Sequence, residues 1–245
     1  MKTVIFDNNK VYPERIMACI GYFDAMHKGH RQLIDLCVSH AKAENCLSAM
    51  ICFDPDPLEV ISGKSQKHLF SFNERKKLIS DAGIDKLIIV PFDDNLMKTD
   101  PLDFINNYLN KLNLIELFCG FDFSFGYLGK GNPKLLKKYG NFKTVIVPEY
   151  KYYGKKVSST RIRKELNKAN FKLVNRLLGF DYYQIVKIIN SSQNGLKWLI
   201  KAVPAEKDVI LPPEGEFEHF SFDGSCFFFD SDIDLKAGET YKLCL

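Results

Sequence analysis

From Arg15 to Leu178 the sequence alternates between two hydrophobic periodicities, and this alternation constrains the fold more than any other feature. Residues 15–20, 47–53, 86–90, 114–120 and 143–147 are short apolar runs and predict buried strands. Between them, Leu33, Ile34, Cys37, Val38 and Ala41 recur at helical spacing, which predicts a helix over residues 29–42. Asn73 is placed to cap a helix running to about Ala82, where Gly83 stops it. Asp100-Pro101 opens a predicted helix to about Leu112, with proline at the tolerated first position. Ser158 or Ser159 caps another to about Lys168, and Phe171 to Leu178 form one more. Strands that alternate with helices and are apolar throughout imply an α/β fold, a parallel sheet covered on both faces. Such sheets bind ligands beyond the carboxyl ends of their strands.

The pattern changes after about Tyr183. Short β-like runs at residues 185–189, 196–203 and 226–229 are separated by turn residues such as Asn194-Gly195, Pro212-Pro213 and Asp223-Gly224. The expected organisation is therefore a domain over residues 1–183 and a small β-rich unit over residues 184–245. Charge divides in a similar way. Residues 186–245 hold 6 Lys/Arg against 10 Asp/Glu, net −4, and the remainder holds 28 against 20, net +8. A basic main domain suits an anionic ligand, but its cations are scattered, not striped, so nucleic acid is not the expected partner.

No apolar run reaches the length of a membrane span, and no membrane partner is expected. Asp7 interrupts the N-terminal apolar patch and no small-residue cleavage site follows, so a cytoplasmic location without a signal peptide is expected. The seven cysteines form no C-x-x-C pair, which predicts free, largely buried thiols and argues against zinc. Oligomeric state has no signature in the sequence.

Four segments have the composition of chemistry. The first is Gly21-Tyr22-Phe23-Asp24-Ala25-Met26-His27-Lys28-Gly29-His30, between a predicted strand and a predicted helix. A helix start attracts phosphate, Gly29 lets an anion approach the backbone, and imidazoles donate hydrogen bonds as charge shifts. Capping or surface histidines, or a pair of metal ligands, would give the same pattern. The second is Val157-Ser158-Ser159-Thr160-Arg161-Ile162-Arg163, hydroxyls and guanidinium groups at another helix start. It suits a phosphate clamp, or simply a capped helix with a basic face. The third, Phe53-Asp54-Pro55-Asp56-Pro57, offers a rigid apolar wall suited to a flat ring, or a strand-ending turn. The fourth, Gly120-Phe121-Asp122-Phe123-Ser124-Phe125-Gly126 followed by Gly129-Lys130-Gly131, places an acid among aromatics in a glycine-bounded loop. It suits an aromatic ligand beside a Mg²⁺-bound phosphate, or a buried edge strand.

In this order the four segments resemble the adenylyltransferase module of bacterial FAD synthetases, members of the nucleotidyltransferase superfamily with an H-x-G-H signature. The resemblance covers roughly residues 1–185 and includes Leu178-Gly179-x-x-Tyr182, which closes the module in that family. It implies a Rossmann-like nucleotidyltransferase domain with a parallel sheet, plus a small C-terminal β unit. It also implies transfer of AMP from ATP to FMN with Mg²⁺, giving FAD and pyrophosphate. Carried over position by position, His27, His30 and Arg163 would be catalytic. Gly21, Phe23, Asp24, Gly29, Ser159, Thr160 and Arg161 would bind ATP. Phe53, Pro55, Asp56, Pro57 and Phe125 would border the flavin, and Asp122 would sit near Mg²⁺.

Two departures stand out. The family commonly has His at the fourth position of F-D-P-x-P, where this chain has Asp56, and an added negative charge there would weaken binding of an anionic flavin. Bifunctional members also continue into a riboflavin kinase barrel with a Pro-Thr-Ala-Asn motif, which occurs nowhere here. Leu211-Pro212-Pro213-Glu214-Gly215 resembles part of that barrel, so the tail is expected to be a shortened β remnant without kinase activity. The alternatives are transfer to another phosphorylated acceptor, or a non-catalytic flavin- or nucleotide-binding protein.

Overall fold

The computed structural model describes residues 1–245 and divides into two compact units. The first comprises residues 1–66 and 74–156; the second comprises residues 67–73 and 157–245.

The first unit is built on six parallel strands in the order β1-β4-β3-β2-β5-β6: β1 Lys2–Ile5, β2 Tyr12–Ile20, β3 Leu47–Asp54, β4 Lys86–Pro91, β5 Leu112–Gly120 and β6 Lys143–Val147. The sheet is the α/β arrangement that the alternation predicts. Helix α1 (Lys28–Ala43) buries Leu33, Ile34, Cys37, Val38 and Ala41, the same five residues whose spacing marks it in the sequence, against β2, β3 and β5. On the sheet, Ile20, Ile51, Ile88 and Leu117 belong to one continuous core and are at most 2% exposed. Each such side chain contributes roughly 1.5–3 kcal/mol by leaving water.

Several elements differ from the sequence reading. Strand β1 is an added edge, paired with β4 from Lys2↔Lys86 to Ile5↔Ile89. Its residues are mostly exposed, so no apolar run announces it. Helix α2 (Pro57–Ser62) follows the proline-rich segment, α3 spans Phe72–Asp81, and α4 is the short Asp94–Met97. Asn73 is the second residue of α3 and not its cap. The single helix predicted to Leu112 is instead α5 (Pro101–Phe104) running into a π-helical turn, Ile105–Leu109. The reason is tertiary: Leu112 already pairs with Tyr12 in the sheet, so the helix must close early. The wide turn, with Asn110 N–H bonded to the Ile105 carbonyl at 2.8 Å, buries both Ile105 and Leu109. Helix α6 (Pro133–Tyr139), capped by Asn132, and a small hairpin, β7 (Lys151–Tyr152) with β8 (Lys155–Lys156), complete the unit.

The second unit carries α7 (Ser159–Leu166), α8 (Phe171–Leu178) and six antiparallel strands. These are β9 Tyr183–Asn194, β10 Lys197–Pro204, β11 Gly215–Glu216, β12 Ser221–Phe222, β13 Phe227–Ser231 and β14 Thr240–Cys244, in the order β11-β12-β13-β10-β9-β14. The hairpin between β9 and β10 turns at Gly195, with φ 63°. Its core includes Val186, Ile188, Ile200, Phe227 and Phe229. The segment 67–73 is stitched into this unit: His68 N–H bonds to the Asp208 carbonyl, and the Ile210 N–H to the His68 carbonyl, both at 2.8 Å. The tail thus holds a six-stranded antiparallel sheet with its own core, more extensive than the three runs visible in the sequence.

No helix is long and apolar enough to cross a membrane. All seven cysteines are free, and Cys19, Cys37, Cys52 and Cys119 are buried.

Candidate active site

In the first unit, β3, β2 and β5 are neighbours and parallel, so the loops that follow them leave the same edge of the sheet. The chain reverses its direction of travel across the sheet between β2 and β5, which is where open α/β sheets bind ligands. Three of the four chemistry-bearing segments are these loops. Gly21 to His27 follows β2, Pro55 and Asp56 follow β3, and Phe121 to Phe125 follows β5.

The loop after β2 is buried and strained. Phe23, Asp24, Ala25, Met26 and His27 are all at most 6% exposed. Phe23 (φ 54°) and Met26 (φ 48°) lie in the left-handed region, a conformation that side chains other than glycine adopt where the surroundings impose it, often at functional sites. A Cβ on Gly21 would meet the Phe23 ring at 3.2 Å, so this glycine makes the fold-back possible.

His27 caps α1. Its Nδ1 accepts the His30 N–H at 3.1 Å. That atom therefore carries no proton, and the neutral ring holds its hydrogen on Nε2 as a donor. The His27 and His30 rings stack with centroids 3.7 Å apart and 12° between planes, and Phe23 meets His30 edge-on at 5.0 Å. Burial pushes the His27 pKa down to about 4; Lys156 adds to this, while Asp24 and Asp122 oppose it. Burial, with His27 beside it, holds His30 well below the usual imidazole range. Both rings are therefore neutral near pH 7. The His30 Nδ1 is buried and has no hydrogen-bond partner, a cost that folded proteins keep where function requires it. His27 is thus a capping histidine, and the cap orients its ring. A shared metal fits poorly, because His27 Nδ1 is taken and the rings stack instead of converging on a point.

Gly29 lies tight against the His27 ring. A Cβ there would lie 3.2 Å from His27 Cε1 and 3.3 Å from its Nδ1. The glycine of H-x-G-H is the seat of the first histidine.

In the loop after β3, Phe53 packs edge-on against Phe92 at 5.9 Å and near Phe104 at 6.2 Å. The Asp54-Pro55 peptide is cis, Pro55 is exposed and Pro57 half-buried at the start of α2. Asp56 is buried, 6% exposed, and its carboxylate accepts the Leu58 N–H at 2.8 Å as the cap of α2. Asp56 is thus a buried helix cap and not a loose surface charge.

After β5, Asp122 pairs with Lys156, whose ammonium also lies 5.0 Å from the Phe121 ring centroid. Phe125 is in the core, 6% exposed, against Phe104 at 5.4 Å and Phe123 at 5.6 Å. The loop closes through paired N–H to carbonyl bonds between Phe125 and Gly131, where any Cβ on Gly131 would strike Phe125 at 2.6 Å. No group of three or more His, Cys, Asp or Glu side chains is arranged to hold a metal. The carboxylates at hand, Asp24 and Asp122, suit Mg²⁺ only in the way that it usually binds, through one or two carboxylates plus substrate phosphates.

The fourth segment lies in the second unit. Ser158, not Ser159, is the cap of α7, its hydroxyl accepting the Arg161 N–H at 3.3 Å. Ser159 and Thr160 begin the helix, Ile162 is its buried anchor, and Arg163 donates to the Lys67 carbonyl within the same unit. Sequence reading did not single out Lys156, Tyr22 or Arg75. Lys156 adjoins the Val157-Ser158 motif and Tyr22 lies inside the first segment, and that placement was their only signal; Arg75 had none.

The family model for FAD synthetase matches residues 9–161. A bifunctional riboflavin kinase/FMN adenylyltransferase of Buchnera aphidicola is 35% identical over 84% of this chain and 71% of its own length. Another, from Listeria monocytogenes, is 29% identical over 83% of this chain and 66% of its own, and an FAD synthetase of the same bacterium is 28% identical over 81% and 78%. The chain thus spans about two thirds of the length of the bifunctional relatives it matches. Among solved structures, a macrolide-efflux protein from Streptococcus pneumoniae aligns over 100% of this chain and 89% of its own with a TM-score of 0.86. At 23% identity that likeness is one of fold. With the family match covering all three loops at the sheet edge and reaching the start of α7, the chain belongs to the FAD synthetase family.

Proposed function

We propose that this protein is an FMN adenylyltransferase: an FMN phosphate oxygen attacks the α-phosphorus of ATP in line, a new P–O bond forms, and pyrophosphate leaves. The observation that carries the reading is the pair of neutral, stacked imidazoles at the start of α1, in a chain of the FAD synthetase family. A neutral His27 with its hydrogen on Nε2 is a preorganised donor, suited to stabilising charge that develops on phosphate oxygens. No protonated imidazole is required, so catalysis is positioning plus electrostatics. The α1 N-terminus adds its own partial positive charge.

On this reading, Ser159, Thr160, Arg161 and Arg163 hold the β- and γ-phosphates, with Gly21, Phe23, Asp24 and Gly29 shaping the loop around ATP. Phe53, Pro55 and Pro57 border the isoalloxazine ring, and Phe125 supports that wall from the core. Asp122 is the carboxylate best exposed to hold Mg²⁺, which would neutralise part of the triphosphate charge. Residues within 1–183 carry the reaction, and the strands of residues 184–245 lack the Pro-Thr-Ala-Asn motif, so riboflavin is not an acceptor.

The test is product identification after incubation with ATP, Mg²⁺ and either FMN or riboflavin. FAD forms from FMN and nothing forms from riboflavin. His30→Ala lowers the FAD rate about 10²–10³-fold, the usual cost of losing one preorganised donor. A folded protein that binds ATP yet makes no FAD refutes the assignment.

A further inference from the structure

Tyr182 ends the Leu178-Gly179-x-x-Tyr182 motif and is fully buried in the second unit. Its hydroxyl oxygen lies 3.1 Å from the Leu69 carbonyl, 3.0 Å from the Ile210 carbonyl and 2.7 Å from Nε2 of Gln184. Gln184 is buried as well, and its Nε2 lies 2.9 Å from the same Ile210 carbonyl. An amide nitrogen carries two hydrogens and a phenol one. The Gln184 amide therefore serves both the Tyr182 oxygen and the Ile210 carbonyl, which leaves the Tyr182 hydrogen for Leu69.

Leu69 belongs to the segment 67–73, which joins this unit from far along the chain. Residues 67–71 form no helix, and their one sheet contact is the bridge from His68 to Val209. Bonds from outside the segment therefore set where its carbonyls point. Residues 208 and 210 hold His68 by its N–H and its carbonyl, Tyr182 holds Leu69, and the Phe70 ring packs 5.3 Å from the Tyr182 ring and 5.2 Å from that of Tyr183. One residue before His68, the Lys67 carbonyl accepts a hydrogen bond from the Arg163 guanidinium. A guanidinium carries five N–H donors in a planar fork, so a fixed acceptor for one of them restrains the direction of the rest. Arg163 thus rests on a carbonyl that Tyr182 and residues 208–210 keep in place.

We propose that Tyr182, oriented by Gln184, is a positioning residue for Arg163: it fixes the segment whose Lys67 carbonyl holds that guanidinium. The catalytic part of this inference rests on the FMN adenylyltransferase reading, in which Arg163 holds ATP phosphates. It gives the strands beyond residue 183 a part in the nucleotide site, through Gln184 and the Ile210 carbonyl, that needs no second active centre.

The experiment is a double-variant cycle of Tyr182→Phe with Arg163→Ala, beside Gln184→Met. Phenylalanine keeps the ring in the core and removes only the hydroxyl; methionine keeps the length of glutamine and removes its donors. FAD formation gives kcat and KM, calorimetry gives ATP affinity, and thermal midpoints check folding. Tyr182→Phe lowers kcat/KM for ATP about tenfold, the scale of a guanidinium displaced by a fraction of an ångström, with KM for FMN within about twofold. Gln184→Met lowers it about threefold, because the Tyr182 hydrogen remains. In the Arg163→Ala background, Tyr182→Phe changes kcat/KM by no more than about twofold, because the group it positions is gone. A general loss of packing would instead act equally in both backgrounds. A loss of about tenfold that persists in Arg163→Ala, an unchanged kcat/KM in Tyr182→Phe, or a rise in KM for FMN as large as that for ATP overturns the proposal. If Tyr182→Phe fails to fold, Gln184→Met with Arg163→Ala runs the same cycle under the same criterion. If the parent protein binds ATP but makes no FAD, the functional assignment fails alone, and the cycle read on ATP affinity decides the positioning role. A parent that binds no ATP overturns both.

Discussion

Gly29→Ala separates what the glycine of H-x-G-H does for folding from what it does for chemistry. The new Cβ would stand 3.2 Å from His27 Cε1 and 3.3 Å from Nδ1, closer than such contacts are normally found, so the ring must yield by a few tenths of an ångström. That movement acts on the 3.1 Å bond from the His30 N–H to His27 Nδ1. Loss of a helix cap costs about 1 kcal/mol, while replacing glycine by alanine in a helix returns up to about 1 kcal/mol. The two nearly cancel, so the thermal midpoint shifts by no more than about 3 °C. Catalysis has no such compensation. A misplacement of about 1 Å costs on the order of 10²-fold, so a shift of a few tenths lowers kcat about tenfold, less than the 10²–10³-fold expected for removing a histidine. The assay is steady-state FAD formation beside differential scanning fluorimetry. A kcat within twofold of the parent refutes the ring-seat argument. A raised KM for ATP at unchanged kcat also refutes it, and returns Gly29 to the simpler role of admitting an anion.

Two further perturbations test other parts of the structure. The His27 pKa is about 4 when folded against about 6.5 when unfolded, and His30 is lowered as well, so the folded state binds fewer protons than the unfolded chain in this window. This stabilisation is present above pH 6.5 and is lost as pH falls toward 4; His27 alone accounts for up to ~3 kcal/mol. Urea unfolding between pH 7.5 and 5 should show falling stability, with a shallower slope in His27→Ala; a slope that is flat or reversed rules the argument out. At Gly126, φ is 70° and a Cβ would lie 2.8 Å from the Pro101 backbone nitrogen, whereas Gly154, with φ 71°, has open space around it. Strain plus overpacking predicts a loss of about 2–5 kcal/mol for Gly126→Ala, and only about 1–2 kcal/mol for Gly154→Ala, read from denaturant midpoints. Equal effects at the two glycines would show that the contact with Pro101 carries no weight.

Much of the fold was legible in the sequence. The helical spacing from Leu33 to Ala41 and the apolar run from Leu47 to Phe53 each report a single buried face or layer, and local periodicity suffices to find them. What it missed depends on partners far along the chain. Strand β1 has no apolar run and exists because β4 offers it an edge. The π-turn at Ile105–Leu109 exists because Leu112 is already committed to Tyr12. Helices α2 and α6 were signalled by Asp56-Pro57 and Asn132-Pro133, but they are too short for periodicity to detect.

The same division holds at the active site. The sequence by itself determined which residue types are available and in what order: two imidazoles with a glycine between them, a proline-bounded acid, an acid among phenylalanines, and a capped hydroxyl–arginine helix start. Residue type and spacing were enough to identify the family, because its motifs are short and lie in a fixed order along the chain. Only the tertiary structure decided their states. Burial makes His27 and His30 neutral, the cap puts the His27 hydrogen on Nε2, and Gly29 leaves room for the His27 ring. Asp56 shows the limit most clearly. In the sequence it is a free negative charge between two prolines, while in the fold it is the buried cap of α2, bonded to Leu58. A side chain's charge state and hydrogen bonds depend on solvent exclusion and on neighbours tens of residues away, and neither quantity is local in the sequence.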